Sequence, residues 1–129
     1  MKIHGILDCE RRGDILVMTP EGAFNLEGMR LCDERIRAAA APLLDGDWAR
    51  LEDLRRVELG EPAAIDLLVD NFRWGAGAGC RAIAFVRTRK LHEGIARERL
   101  DDLDCEVGYF DDTAAAWSWL AGHGFGDGA

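Results

Sequence analysis

The chain has 129 residues, 48% of them hydrophobic and 31% charged, with three prolines and a net charge of −8. That length suits one core and leaves none for a second, and the composition is that of a globular chain, not a disordered one. Twenty-four acidic residues against sixteen basic ones weigh against nucleic acid as a partner, because affinity for phosphate backbones comes mainly from Lys and Arg releasing counterions. The opening Met1-Lys2-Ile3-His4 reads as no targeting signal, and no stretch approaches the ~20 apolar residues that span a bilayer, so a cytoplasmic protein with at most transient membrane contact is expected. Residues 1–123 read as a single domain and 124–129 as a flexible tail.

Ile3, Gly5, Leu7 and Cys9 alternate with His4, Asp8 and Glu10, the period of a strand with one wet face. Arg11-Arg12-Gly13-Asp14 then turns the chain. Ile15-Leu16-Val17-Met18, closed by Pro20, reads as a buried strand antiparallel to the first. Asn25 can cap a helix on which Met29, Cys32, Ile36, Ala39 and Leu43 repeat at three and four, with Pro42 at its end. Trp48 to Leu54 reads as a third strand. Pro62 suits the first turn of a second helix, which runs to about Trp74 and is broken by Gly75-Ala76-Gly77-Ala78-Gly79. Ala82-Ile83-Ala84-Phe85-Val86 is apolar on both parities and short, as expected of a parallel strand covered on both faces. Leu91 to Leu103 carries a weaker helical repeat, Val107 to Phe110 a last strand, and Asp112 caps a closing helix that ends near Gly122. The order β-β-α-β-α-β-α-β-α predicts an α/β fold with a mostly parallel five-stranded sheet, an initial antiparallel hairpin strand and four helices.

Specific words in this order resemble the STAS domain and its SpoIIAA-like branch. They are Pro20-Glu21-Gly22, Trp48 with Leu51-Glu52-Asp53-Leu54-Arg55, Glu61-Pro62-Ala63, Arg73-Trp74, Cys80 to Val86, and Trp119-Leu120. The resemblance runs from about residue 2 to 122. It implies a fold shared by anti-sigma-factor antagonists, the cytosolic domains of anion transporters and CRAL-TRIO lipid-transfer domains, none of them defined by catalysis. Regulatory STAS proteins carry a phosphorylatable Ser or Thr where the third strand meets the second helix. Here that junction reads Arg56-Val57-Glu58-Leu59-Gly60-Glu61-Pro62, without a hydroxyl.

Little else in the sequence has the spacing that catalysis needs. Ser118 lies inside a helix between two tryptophans, far from the strand-to-helix turn that a nucleophilic serine requires. His4, His92 and His123 are isolated, so no two fall on one element as metal ligands, and no metal or cofactor is expected. Cys9, Cys32, Cys80 and Cys105 lie more than twenty residues apart and read as reduced, structural thiols. The glycines of 75–79 follow a helix and enter a strand, the reverse of a dinucleotide loop. Glu52 and Asp53 are adjacent on a strand and point to opposite faces.

A site, if present, belongs at the carboxyl ends of the parallel strands. Asn25, Glu61 and Arg87 fall there, and Arg87, Arg89 and Lys90 form a basic cluster where an anionic group or lipid headgroup could dock. The second helix adds a further signal. Ile65, Leu68, Val69 and Phe72 already make a core stripe, while Ala63, Leu67 and Trp74 lie on roughly the opposite side. The reading is therefore a non-catalytic STAS-like module that binds a small apolar or lipid-like ligand or a partner, including a second copy, through Leu67, Trp74, Ala63, Asn25, Glu61 and the basic cluster. An anti-sigma-antagonist-type regulator without the hydroxyl is the first alternative, and a small enzyme of unknown reaction the second.

Overall fold

A computed structural model describes residues 4–58, 60–87 and 90–126, with the side chains of 90–92 excepted. The elements follow in the order β1 (Ile6–Arg12), β2 (Ile15–Ala23), α1 (Leu26–Ala40), β3 (Trp48–Asp53), β4 (Val57–Glu58), α2 (Pro62–Gly77), β5 (Cys80–Val86), α3 (Lys90–Leu100), β6 (Glu106–Phe110) and α4 (Thr113–Gly122). The sheet runs β1-β2-β3-β5-β6, antiparallel at the β1–β2 hairpin and parallel elsewhere. The expected α/β architecture is present, with a sixth strand added. Val57–Glu58 pairs with Gly22 and Ala23 of β2, two residues in a segment whose charges gave no strand periodicity.

Several boundaries move, each for a local reason. Strand β2 continues through Pro20, which its missing N–H permits because β3 pairs only with Ile15 to Met18. Helix α1 is capped as expected, the Asn25 side chain accepting from the Gly28 N–H at 2.8 Å. It passes into a short 3-10 turn at Ala41–Leu43, which contains Pro42. Helix α2 does not stop at Trp74 but runs on to Gly77. Gly75 is buried inside it, where a Cβ would come within 3.3 Å of the Arg50 guanidinium and 3.4 Å of the Trp48 ring. Its lack of a side chain serves close packing against β3 and does not end the helix. Asp112 caps α4 by accepting from the Ala115 N–H at 2.7 Å.

The alternation of β5 distributes its apolar residues to both faces of the sheet. Ile83 and Phe85 face the side covered by α1, α2 and α3, while Ala82, Ala84 and Val86 face Ala116 and Leu120 of α4. Small residues at 49, 82 and 84 let α4 approach closely. The chain beyond α4 does not leave the fold at once, since the Gly126 N–H donates to the Asp14 carboxylate at 3.0 Å and returns to the β1–β2 turn.

Candidate functional site

Between the sheet and the three helices on its larger covered face lies a cavity of about 130 Å³. Its floor is Leu7, Met18 and Phe85 from the sheet, with Glu52 among them. Helix α1 contributes Met29, Cys32 and Ile36, and α3 contributes Ile95, Ala96 and Leu100. A further wall is the α2 stripe of Ala64, Ile65, Leu68, Val69 and Phe72, and Arg99 of α3 also borders the cavity. Glu58, which is exposed, and Gly60 also line it. Close packing normally leaves few voids larger than a water molecule, so an apolar cavity of this size is the feature of the fold that packing does not account for.

One charged pair is buried beside this wall. Arg50 and Glu52 stand two apart on β3, so both side chains leave the sheet toward the helices. Arg50 is 0% exposed and Glu52 3%. The Arg50 Nη2 lies 3.5 Å from the Glu52 Oε1, and its guanidinium stacks over the Phe72 ring at 4.4 Å. The Glu52 Oε2 has no hydrogen-bond partner. Burial pushes the Glu52 carboxyl up to about 6, against the opposing pull of Arg50. The neighbouring Cys32 thiol is pushed up to about 11, by burial first and then by the Glu52 charge, with Arg35 opposing, and so remains protonated near neutrality.

Most of the residues singled out from sequence occupy structural positions. Asn25 caps α1 and also accepts from the His4 N–H at 3.1 Å. The Glu61 Oε1 accepts from the Leu26 N–H at 2.6 Å, so this residue from the start of α2 closes the first turn of α1. Ala63 is exposed on the first turn of α2. Leu67 and Trp74 are half-buried against the core, not bare on the outside. Trp74 packs against Trp48 at 6.4 Å between ring centroids and carries the Arg37 guanidinium at 4.5 Å. Asn71, on the same side of α2, donates to Asp33 of α1 at 2.7 Å. Helix α1 is thus what covers the second apolar stripe. Arg87 sits between Glu93 and Asp111, 3.8 Å from each, and is neutralised in place. Arg89 and the Lys90 side chain lie outside the described residues.

The stripe read as filled core is therefore the one that lines the cavity. Arg50 and Glu52 escaped sequence reasoning because Trp48, Arg50, Glu52 and Leu54 share a parity with two charges at its centre, which reads as a wet face. The available signal was an opposite-charge pair at i and i+2 flanked by Trp48 and Leu54 in a strand with neighbours on both sides.

The geometry defines a SpoIIAA-like fold, and the comparisons agree. An uncharacterised protein of the DUF3478 family with a SpoIIAA-like fold, from Shewanella loihica, superposes with a TM-score of 0.72 at 18% identity, covering 93% of this chain and 96% of that one. An anti-sigma factor antagonist from Mycobacterium paratuberculosis superposes with a TM-score of 0.60 at 15% identity, covering 91% and 94%. The sequence matches no family model and no curated protein. Among the described residues no helix is long and apolar enough to cross a membrane.

Proposed function

We propose that the chain is a non-catalytic STAS-like binding module that takes a small apolar or lipid-like molecule into the cavity between the sheet and α1, α2 and α3. The observation that carries this reading is the cavity itself, about 130 Å³ and walled by Met, Leu, Ile, Val and Phe side chains from the sheet and three helices. Cavities on the order of ~150 Å³ with such walls stay dry and take up apolar ligands. The buried charged side chain on its floor, Glu52, leans on Arg50, which gives the pair no net charge.

Titration of the purified chain with the neutral fluorophore N-phenyl-1-naphthylamine tests it. Saturable emission at one probe per chain is expected, and Leu68→Trp, which fills the cavity, is expected to weaken binding at least tenfold while the protein still melts cooperatively. Equal binding by the filled variant, or no saturable binding by the native chain, overturns the reading.

The anti-sigma factor antagonist neighbour favours a second reading, a protein-binding regulator. In this chain such a regulator would not be switched by phosphate at the start of α2. Gly60 packs so closely on the Phe24 carbonyl that a side chain there would collide with backbone, and the flanking Glu58 and Glu61 bear no hydroxyl. Phosphopeptide mapping that found a phosphate between residues 56 and 64 would contradict this.

A further inference from the structure

The cavity has one polar feature that its apolar walls do not explain. Glu52 is 3% exposed, lines the cavity, and presents an Oε2 with no hydrogen-bond partner, while its Oε1 faces Arg50 at 3.5 Å. A buried acceptor left unmade costs stability, and packing gave this strand position every opportunity to be apolar. We propose that Glu52 is the polar anchor of the cavity and accepts a hydrogen bond from the hydroxyl headgroup of an uncharged aliphatic amphiphile, whose tail lies among Ile65, Leu68, Val69 and Phe72. This rests on the cavity reading above and specifies its ligand.

Charge balance selects the headgroup. The Arg50–Glu52 pair is already neutral, so an ammonium group would leave one uncompensated positive charge in an apolar space. A carboxylate would bring a second negative charge against Glu52, while Arg50 does not line the cavity and Arg99, which does, is already engaged by the Asp66 carboxylate at 3.0 Å. Both arrangements carry the desolvation cost of an unpaired ion. A hydroxyl adds a donor and no charge. Two thiols flank this end of the site, Cys9 and Cys32, and burial raises both, so neither supplies a competing charge near neutrality.

The test is displacement of N-phenyl-1-naphthylamine at pH 8, where Glu52 is ionised, by four ligands of matched length: 1-octanol, its isomer heptyl methyl ether, octanoate and octylammonium. The ether has the same atoms and no donor. We expect 1-octanol to displace the probe at about one-tenth the concentration of each of the others, the ratio a donor to a buried carboxylate provides. In Arg50→Met with Glu52→Leu, which replaces the buried pair by apolar side chains, the octanol-to-ether ratio should fall to about one. Equal displacement by octanol and ether in the native chain overturns the anchor and leaves the apolar cavity standing. A clear preference for octylammonium or octanoate overturns the neutral headgroup. Failure of the fluorophore itself to bind removes the cavity reading and the anchor with it. The native-chain ratio decides the matter even if the double variant does not fold.

Discussion

Glu52 and Arg50 illustrate how much one strand position can carry. The carboxyl is held at about 6 against its ordinary 4.5 because burial outweighs the attraction of Arg50. The folded chain therefore binds the Glu52 proton more tightly than the unfolded one. Its contribution to stability is largest below about 4.5 and is lost as the pH rises toward about 6, on the order of 2 kcal/mol across that window. Urea unfolding of the native chain and of Glu52→Gln at pH 4 to 7.5 should show a difference in stability that changes in that direction and levels off above the window. A difference that is flat with pH, or of the opposite slope, would show that Glu52 is not desolvated as described. The pair also predicts strong coupling. Arg50→Met alone strands a buried carboxylate and should cost about 3–5 kcal/mol, whereas Arg50→Met with Glu52→Leu should recover most of that loss.

At the scale of elements, what each helix face meets decides which apolar residues are spare. Leu67 and Trp74 pack against the core, and Trp74 also takes up Trp48 and Arg37. The double substitution Leu67→Ser with Trp74→Ser should then lower the melting temperature by more than 10 °C, read by circular dichroism, with no change of mass on size exclusion. A shift from dimer to monomer with an unchanged melt would show instead that this face pairs with another copy. Helix α4 poses a similar choice between its two tryptophans. Trp119 packs on Phe110 at 5.5 Å and under His123 at 4.4 Å, while Trp117 carries the Arg12 guanidinium at 4.9 Å. Both are half-buried, so the two rings differ in what they pack against more than in depth. Trp119→Ala should cost about 2–3 kcal/mol and Trp117→Ala about 1–2 kcal/mol in urea titrations, since the first loses two ring partners and the second part of its packing on the core together with the Arg12 contact.

For the molecule as a whole, a ligand in the cavity binds the folded state alone and must raise its stability by mass action. At a concentration of one hundred times its dissociation constant, a cavity ligand should stabilise the chain by about 2.7 kcal/mol, and at the same concentration Leu68→Trp should cut this to about 1.4 kcal/mol or less. Differential scanning fluorimetry over a concentration series checks this, and a melt independent of ligand concentration would speak against occupancy. The four cysteines are free thiols, so titration under denaturing, non-reducing conditions should count four. The Cys80 thiol donates to the Ala82 carbonyl at 3.5 Å and the Cys105 thiol to the Glu106 carbonyl at 3.6 Å.

The sequence by itself determined the order of elements apart from β4, the hairpin, the caps at Asn25 and Asp112 and the doubly covered strand at Ala82 to Val86. Each of these is written in local periodicity or in a side chain that bonds its own backbone neighbours. Only the tertiary structure decided where the space lies. Leu67 and Trp74 looked unpartnered because a helix wheel does not say which neighbour covers which stripe, and α1, twenty-two residues or more away in the chain, covers theirs. Ile65, Leu68, Val69 and Phe72 looked like filled core because apolar periodicity is the same whether the facing volume is full or empty. Glu52 was separable from Asp53 by strand parity, but charge in sequence says nothing about depth, which is set by three helices that converge on one face of the sheet.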